Sequence, residues 1–139
     1  MMRLSVHKDA QQDLDLLKAV DPDAVATVAV FLQEASGERL AELLTTVGNV
    51  RVGSFVAGIK EWSKAQQTRP SANLWRLRLL DTPATSCRLI YAYHWQTRQL
   101  VVLAVLRKIS DDEFAEDFDY DDLNSPIAIR MLAAWNSLS

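Results

Sequence analysis

Arg76, Arg78 and Arg88 stand in two short, mostly apolar segments, and a third such segment ends in Arg107-Lys108. Guanidinium groups keep their charge at neutral pH and bind phosphate through planar, paired hydrogen bonds, so arginines gathered on one surface suit a phosphate backbone. Such a surface can also support chemistry. Metal-free cleavage of RNA needs the 2′-hydroxyl to attack the adjacent phosphate, and the phosphorane then gathers negative charge that fixed cations stabilise. Arginine is a poor general base, because it hardly gives up its proton near neutral pH. Lys108, crowded by other cations, is the expected proton carrier. The plainer alternative for the same arginines is a solvated sheet face whose charges pair with acidic residues further along the chain.

The other reactive side chains point away from metal or thiol chemistry. Cys87 is the lone cysteine, so it forms no internal disulfide and reads as a small packed residue. His7 and His94 are the two histidines, far apart and without cysteines or carboxylates at metal-ligand spacing, which favours structural or surface roles. Tyr91 and Tyr93 share a strand face with Leu89 and read as packing residues. Trp62, Trp75, Trp95 and Trp135 fall on four different elements, as core or interface anchors would, rather than in a base-stacking row.

Positioning these residues requires a core, and 139 residues with 49% hydrophobic positions suffice for one domain. The longest apolar run, residues 100–106, is far short of the roughly 20 residues that cross a bilayer, and no secretory pattern opens the chain, so a cytoplasmic protein is expected. The net charge of −3 argues against a nucleic-acid partner until its distribution is considered. Residues 43–110 hold ten basic residues against two acids, a net +8, whereas residues 111–139 hold eight acids against Arg130, a net −7. The acidic segment is either a solvated loop or a cover that folds near the arginines and mimics the phosphates they bind.

Alternation of Leu4 and Val6 with polar neighbours predicts a first strand over residues 3–7. Asp9 with Gln12 resembles a capping box, and Ala10, Leu14 and Leu17 then share a helical face. Asp21-Pro22 restarts a helix whose apolar stripe runs through Val25, Val28, Leu32, Leu40, Leu43 and Val47, with Ser36-Gly37 as a point of interruption and Gly48-Asn49 as its end. A helical hairpin results. Phe55, Ile59 and Trp62 are spaced for a short amphipathic helix, and Arg69-Pro70-Ser71 reads as a connector. An antiparallel meander follows over residues 74–80, 88–95 and 99–106, with a tight turn at Gln96-Thr97-Arg98. Side chains alternate along a strand, which separates Arg76 and Arg78 from Trp75, Leu77 and Leu79. A capped turn is expected at residues 110–114, and Ser125-Pro126 starts a last helix with Ile127, Met131, Trp135 and Leu138 on its docking face. The expected fold class is α+β, with a mainly antiparallel sheet.

In this order, Leu74-Trp75-Arg76-Leu77-Arg78-Leu79, Cys87-Arg88-Leu89-Ile90-Tyr91 and Val101-Val102-Leu103-Ala104-Val105-Leu106-Arg107-Lys108 resemble the three core strands of the RelE/ParE superfamily of bacterial type II toxins. The resemblance covers most of the chain as one domain over residues 1–139, with an insert at about 50–73 and an acidic extension from about 111. It implies a ribosome-dependent mRNA endoribonuclease that inhibits translation, needs no metal or cofactor, and is held by a cognate antitoxin in a hetero-oligomer. Arg76, Arg78, Arg88 and Lys108 match the family's catalytic basic positions, with Arg107 beside them as a substrate contact. Phe114 falls where the ribonuclease branch often carries a tyrosine, and can stack on a base but has no hydroxyl for proton transfer. The same fold also serves ParE-like inhibitors of DNA gyrase, and a non-catalytic interaction module is a third expectation.

Overall fold

The computed structural model describes residues 2–68, 73–110, 113–116 and 118–138. Strand β1 (Leu4–Val6) pairs in parallel with a late strand, Leu4 facing Leu100 and Val6 facing Val102. Helix α1 (Lys8–Lys18) follows, and its N-cap is His7 rather than the expected Asp9. The reason lies in the sheet. The His7 N–H donates to the Val102 carbonyl at 2.9 Å, which keeps His7 extended, and its Nδ1 accepts from the Asp9 N–H at 3.1 Å. Helix α2 (Pro22–Glu34) begins as expected, with Asp21 accepting from the Ala24 N–H and proline in the first turn.

The interruption at Ser36-Gly37 is complete. Ser36 bridges to Arg3, and Gly37 takes a φ of 134°, so the apolar stripe resumes in a separate short helix, α3 (Leu40–Leu44). The amphipathic helix expected at Phe55, Ile59 and Trp62 is instead a hairpin of β2 (Gly48–Val52) and β3 (Phe55–Glu61), turning at Gly53-Ser54 with Gly53 at φ 60°. Phe55 and Ile59 are four residues apart, a spacing that shares a face in a helix and in a strand alike. The β-branched and aromatic content of the segment, together with its Gly-Ser turn, decides for the strand.

After α4 (Ser63–Thr68) the expected connector Arg69-Pro70-Ser71 lies outside the described residues. The meander follows as β4 (Leu74–Leu79), β5 (Cys87–His94) and β6 (Gln99–Ser110). Strand β6 runs past its expected end, and the region expected as a capped turn contributes β7 (Glu113–Phe114), with Lys108 facing Phe114. Helix α5 (Pro126–Ser137) closes the fold, its N-cap Ser125 accepting from the Ala128 N–H. The sheet is mixed, in the order β1-β6-β5-β4-β3-β2, with β7 on β6. Among the described residues no helix is long and apolar enough to cross a membrane.

Two cores sandwich this sheet. On one face Leu77, Leu89, Tyr91 and Val105 pack with Leu14, Val28, Phe31 and Leu44 of the N-terminal helices. The Tyr91 hydroxyl donates to the Leu44 carbonyl, and burial pushes its phenol above the usual tyrosine range. On the other face Leu74, Ile90, Leu103 and Leu106 pack with Met131 and Trp135 of α5 and with Trp62, Phe114 and Phe118. Strand β6 is thus covered on both sides, as its unbroken apolar run implies. Two carboxylates satisfy N–H groups on its outer edge. Asp13 accepts from the Val105 N–H at 3.0 Å while gripping Arg130 at 2.7 and 3.1 Å, and Glu116 accepts from the Arg107 N–H at 3.1 Å.

Candidate functional site

The second core stops short of the β2–β3 end of the sheet, and the face left open there is cationic. Strand alternation puts Arg76 and Arg78 of β4 on this face, because Leu77 and Leu79 between and beyond them point into the helical core. The ladder then brings neighbours alongside: Lys60 of β3 faces Arg76, Gly58 faces Arg78, and Asn49 of β2 faces Gly58. Arg88 at the start of β5 and Lys108 on β6 complete a groove of about 280 Å³.

Four of the residues singled out from sequence, Arg76, Arg78, Arg88 and Lys108, line this one groove. Arg107 does not. It pairs with Cys87 on the register that alternates away from Lys108, its N–H held by Glu116. Phe114 is buried at 8% exposure, so its ring is not an open stacking platform; it underlies Lys108, whose Nζ is 5.4 Å from the ring centroid.

Each arginine is held differently. Arg88 donates through one terminal nitrogen to the carbonyls of Thr85 at 2.8 Å and Cys87 at 3.1 Å, which anchors it at the groove wall. Its burial lowers its pKa first, and the charges of Arg78 and Arg76 lower it further. Arg76 lies over the ring of Tyr120, 4.2 Å from the centroid, and its Nε is buried without a hydrogen-bond partner among the described residues. Arg78 is exposed and extends the cationic row toward β3.

Tyr120 was not legible as a site residue. It sits in the acidic segment, and its ring packs edge-on against Phe118 at 5.1 Å, Phe114 at 5.4 Å and Trp62 at 6.3 Å. Trp62 Nε1 also donates to the Tyr120 carbonyl at 2.8 Å. Among the described residues the Tyr120 hydroxyl is buried with no partner in hydrogen-bonding geometry, and burial raises its pKa against the opposing influence of the Arg76 and Arg88 guanidinium groups. The acidic segment therefore reaches the arginine face through an aromatic ring. Its carboxylates turn to backbone instead, Glu116 accepting from the Arg107 N–H, Asp119 from the Asp121 N–H and Asp122 from the Asn124 N–H. Among the described residues, no carboxylate forms an ion pair with Arg76, Arg78 or Arg88. Asp111, Asp112 and Asp117 lie outside the described residues.

Lys60 and Asn49 are the other groove residues that sequence reasoning passed over. Reading residues 55–62 as a helix hid Lys60, and reading Gly48-Asn49 as a helix end hid Asn49, although strand alternation from Ile59 would have put Lys60 on the face opposite the core. The arrangement is that of an α+β protein in which a cationic groove lies open on one stretch of the sheet. The chain matches no family model, and neither curated proteins nor solved structures gave a match. The groove is therefore read from its own chemistry.

Proposed function

We propose that this chain is the toxin of a type II toxin–antitoxin pair, a RelE/ParE-like protein acting in the cytoplasm as a ribosome-dependent mRNA endoribonuclease. The observation that carries the reading is convergence: Arg76, Arg78, Arg88 and Lys108 come from three strands to line one groove. Arg78 and Arg88 bind the scissile phosphate and offset the charge of the phosphorane. Arg76, supported by the Tyr120 ring, adds a third cation to the groove. Lys108 carries a proton at the reacting oxygens. Tyr120 supports Arg76 through its ring, and its buried hydroxyl is not open to the groove. The ribosome presents the message to this row of cations, and an antitoxin silences the protein by covering the same groove.

Induction in a bacterium, with mapping of transcript ends, tests the reading. Cuts at fixed positions within codons, abolished by Arg88→Ala, are expected. DNA damage without transcript cleavage would instead mark an inhibitor of gyrase, and neither effect would mark a non-catalytic module.

A further inference from the structure

The groove extends beyond its arginines onto the β2–β3 hairpin, and we infer that this extension is a slot for a nucleobase of single-stranded RNA. The slot rests on the reading of the groove as an RNA site. Its floor is Gly58. Glycine in a strand interior weakens the strand and marks a bulge, a bend or a close approach of another molecule. The ladder passes through Gly58 in regular register on both sides, which removes the bulge. Its backbone has no positive φ that would demand glycine. A Cβ there would meet Asn49 Oδ1 at 3.4 Å, Leu80 Cδ2 at 3.7 Å and Arg78 Cγ at 3.8 Å, so no severe clash with the fold accounts for the glycine. The glycine leaves a low floor in the groove, without a side chain of its own and rimmed by Asn49, Leu80 and Arg78, against which the edge of a planar ring can rest.

The walls suit a base. Val47, 60% exposed at the mouth, offers an apolar edge. Asn49 offers a donor and an acceptor side by side, the pair of functions with which an amide reads a base edge. Lys60 lies across the ladder from Arg76 and closes the other end with charge. Position supplies the link to the phosphate. Gly58 faces Arg78 directly, one strand spacing of about 4.8 Å away, so a base on the glycine lies beside a phosphate on the arginine. An acidic peptide would use the cations, but it does not couple a planar hydrogen-bonding ring to every charge as a nucleotide does.

Binding of a short 2′-O-methyl oligoribonucleotide, which the groove cannot cut, is compared with binding of an abasic ribose-phosphate strand of equal length. Wild type is expected to prefer the oligonucleotide. Asn49→Ala and Gly58→Val should each weaken oligonucleotide binding about fivefold, the scale of one lost hydrogen bond or its equivalent contact, and leave the abasic strand unchanged. Asn49 is exposed on an edge strand, so its variant keeps the test decisive should Gly58→Val fail to fold. Arg88→Ala should weaken both probes. Equal wild-type affinity for both probes overturns the slot, as does wild-type behaviour of Asn49→Ala, while the phosphate groove stands if Arg88→Ala still weakens them. Failure of Arg88→Ala to weaken either, or binding of an acidic peptide in place of both, overturns the groove and the slot together.

Discussion

Arg76 and Tyr120 form the contact that most sharply divides a structural role from a chemical one. The ring faces the guanidinium, whereas the hydroxyl is buried and unpartnered. A cation–π contact of this kind is worth about 0.5–2 kcal/mol, and deleting an unsatisfied hydroxyl costs little. Tyr120→Phe is therefore expected to keep wild-type RNA affinity and cleavage, whereas Tyr120→Leu weakens RNA binding severalfold. Cleavage lost in Tyr120→Phe with affinity intact would make the hydroxyl a proton carrier. Cys87 gives a residue-scale signature of the core. Burial pushes its thiol to about 11 from an ordinary 9.0, so the folded chain holds a proton that the unfolded chain releases first. This contribution to stability is present below pH 9.0 and is lost as pH rises toward about 11. Thermal melts should show a steeper alkaline decline for wild type than for Cys87→Ala; parallel curves would refute the assignment.

At the scale of elements, Asp13 joins three pieces of the fold: helix α1 that carries it, the Val105 N–H of β6, and Arg130 of α5. Removing it leaves a strand N–H and a half-buried guanidinium without their acceptor. Asp13→Ala should lower unfolding free energy by about 2–3 kcal/mol in urea titration, the range for hydrogen bonds to charged groups. A change within experimental error would show that α5 docks through its apolar face alone. The elements legible in the sequence are those with unambiguous periods. Ala10, Leu14 and Leu17 fit a helix and no strand, while Leu77 and Leu79 flanking Arg78 fit a strand and no helix. Strand β3 was misread because Phe55 and Ile59 satisfy both periods, and with it went Lys60, while Asn49 of β2 was lost because Gly48-Asn49 also suits a helix end. Tyr120 was invisible for another reason: its contacts with Arg76 and Trp62 cross long stretches of sequence, and local pattern carries no distance.

Across the whole molecule, charge is segregated rather than balanced. A net charge of −3 opposes approach of RNA at long range, yet Lys60, Arg76, Arg78, Arg88 and Lys108 line one groove. Long-range repulsion is screened within about 8 Å at physiological ionic strength, whereas contacts inside the groove act below that distance. Binding should therefore respond to salt as a compact polycation does, not as an acidic protein. With some four or five phosphates neutralised on a single strand, log affinity should fall against log salt concentration with a slope of about −3. Arg78→Ala should make the slope shallower by about 0.7 and leave sequence preference unchanged, because a phosphate contact carries charge and no base information. Arg107→Ala, on the face turned away from the groove, should leave the slope as it is. Equal slopes for wild type and Arg78→Ala would show that the sheet face does not carry the phosphate chain, and would return its arginines to the role of a solvated surface.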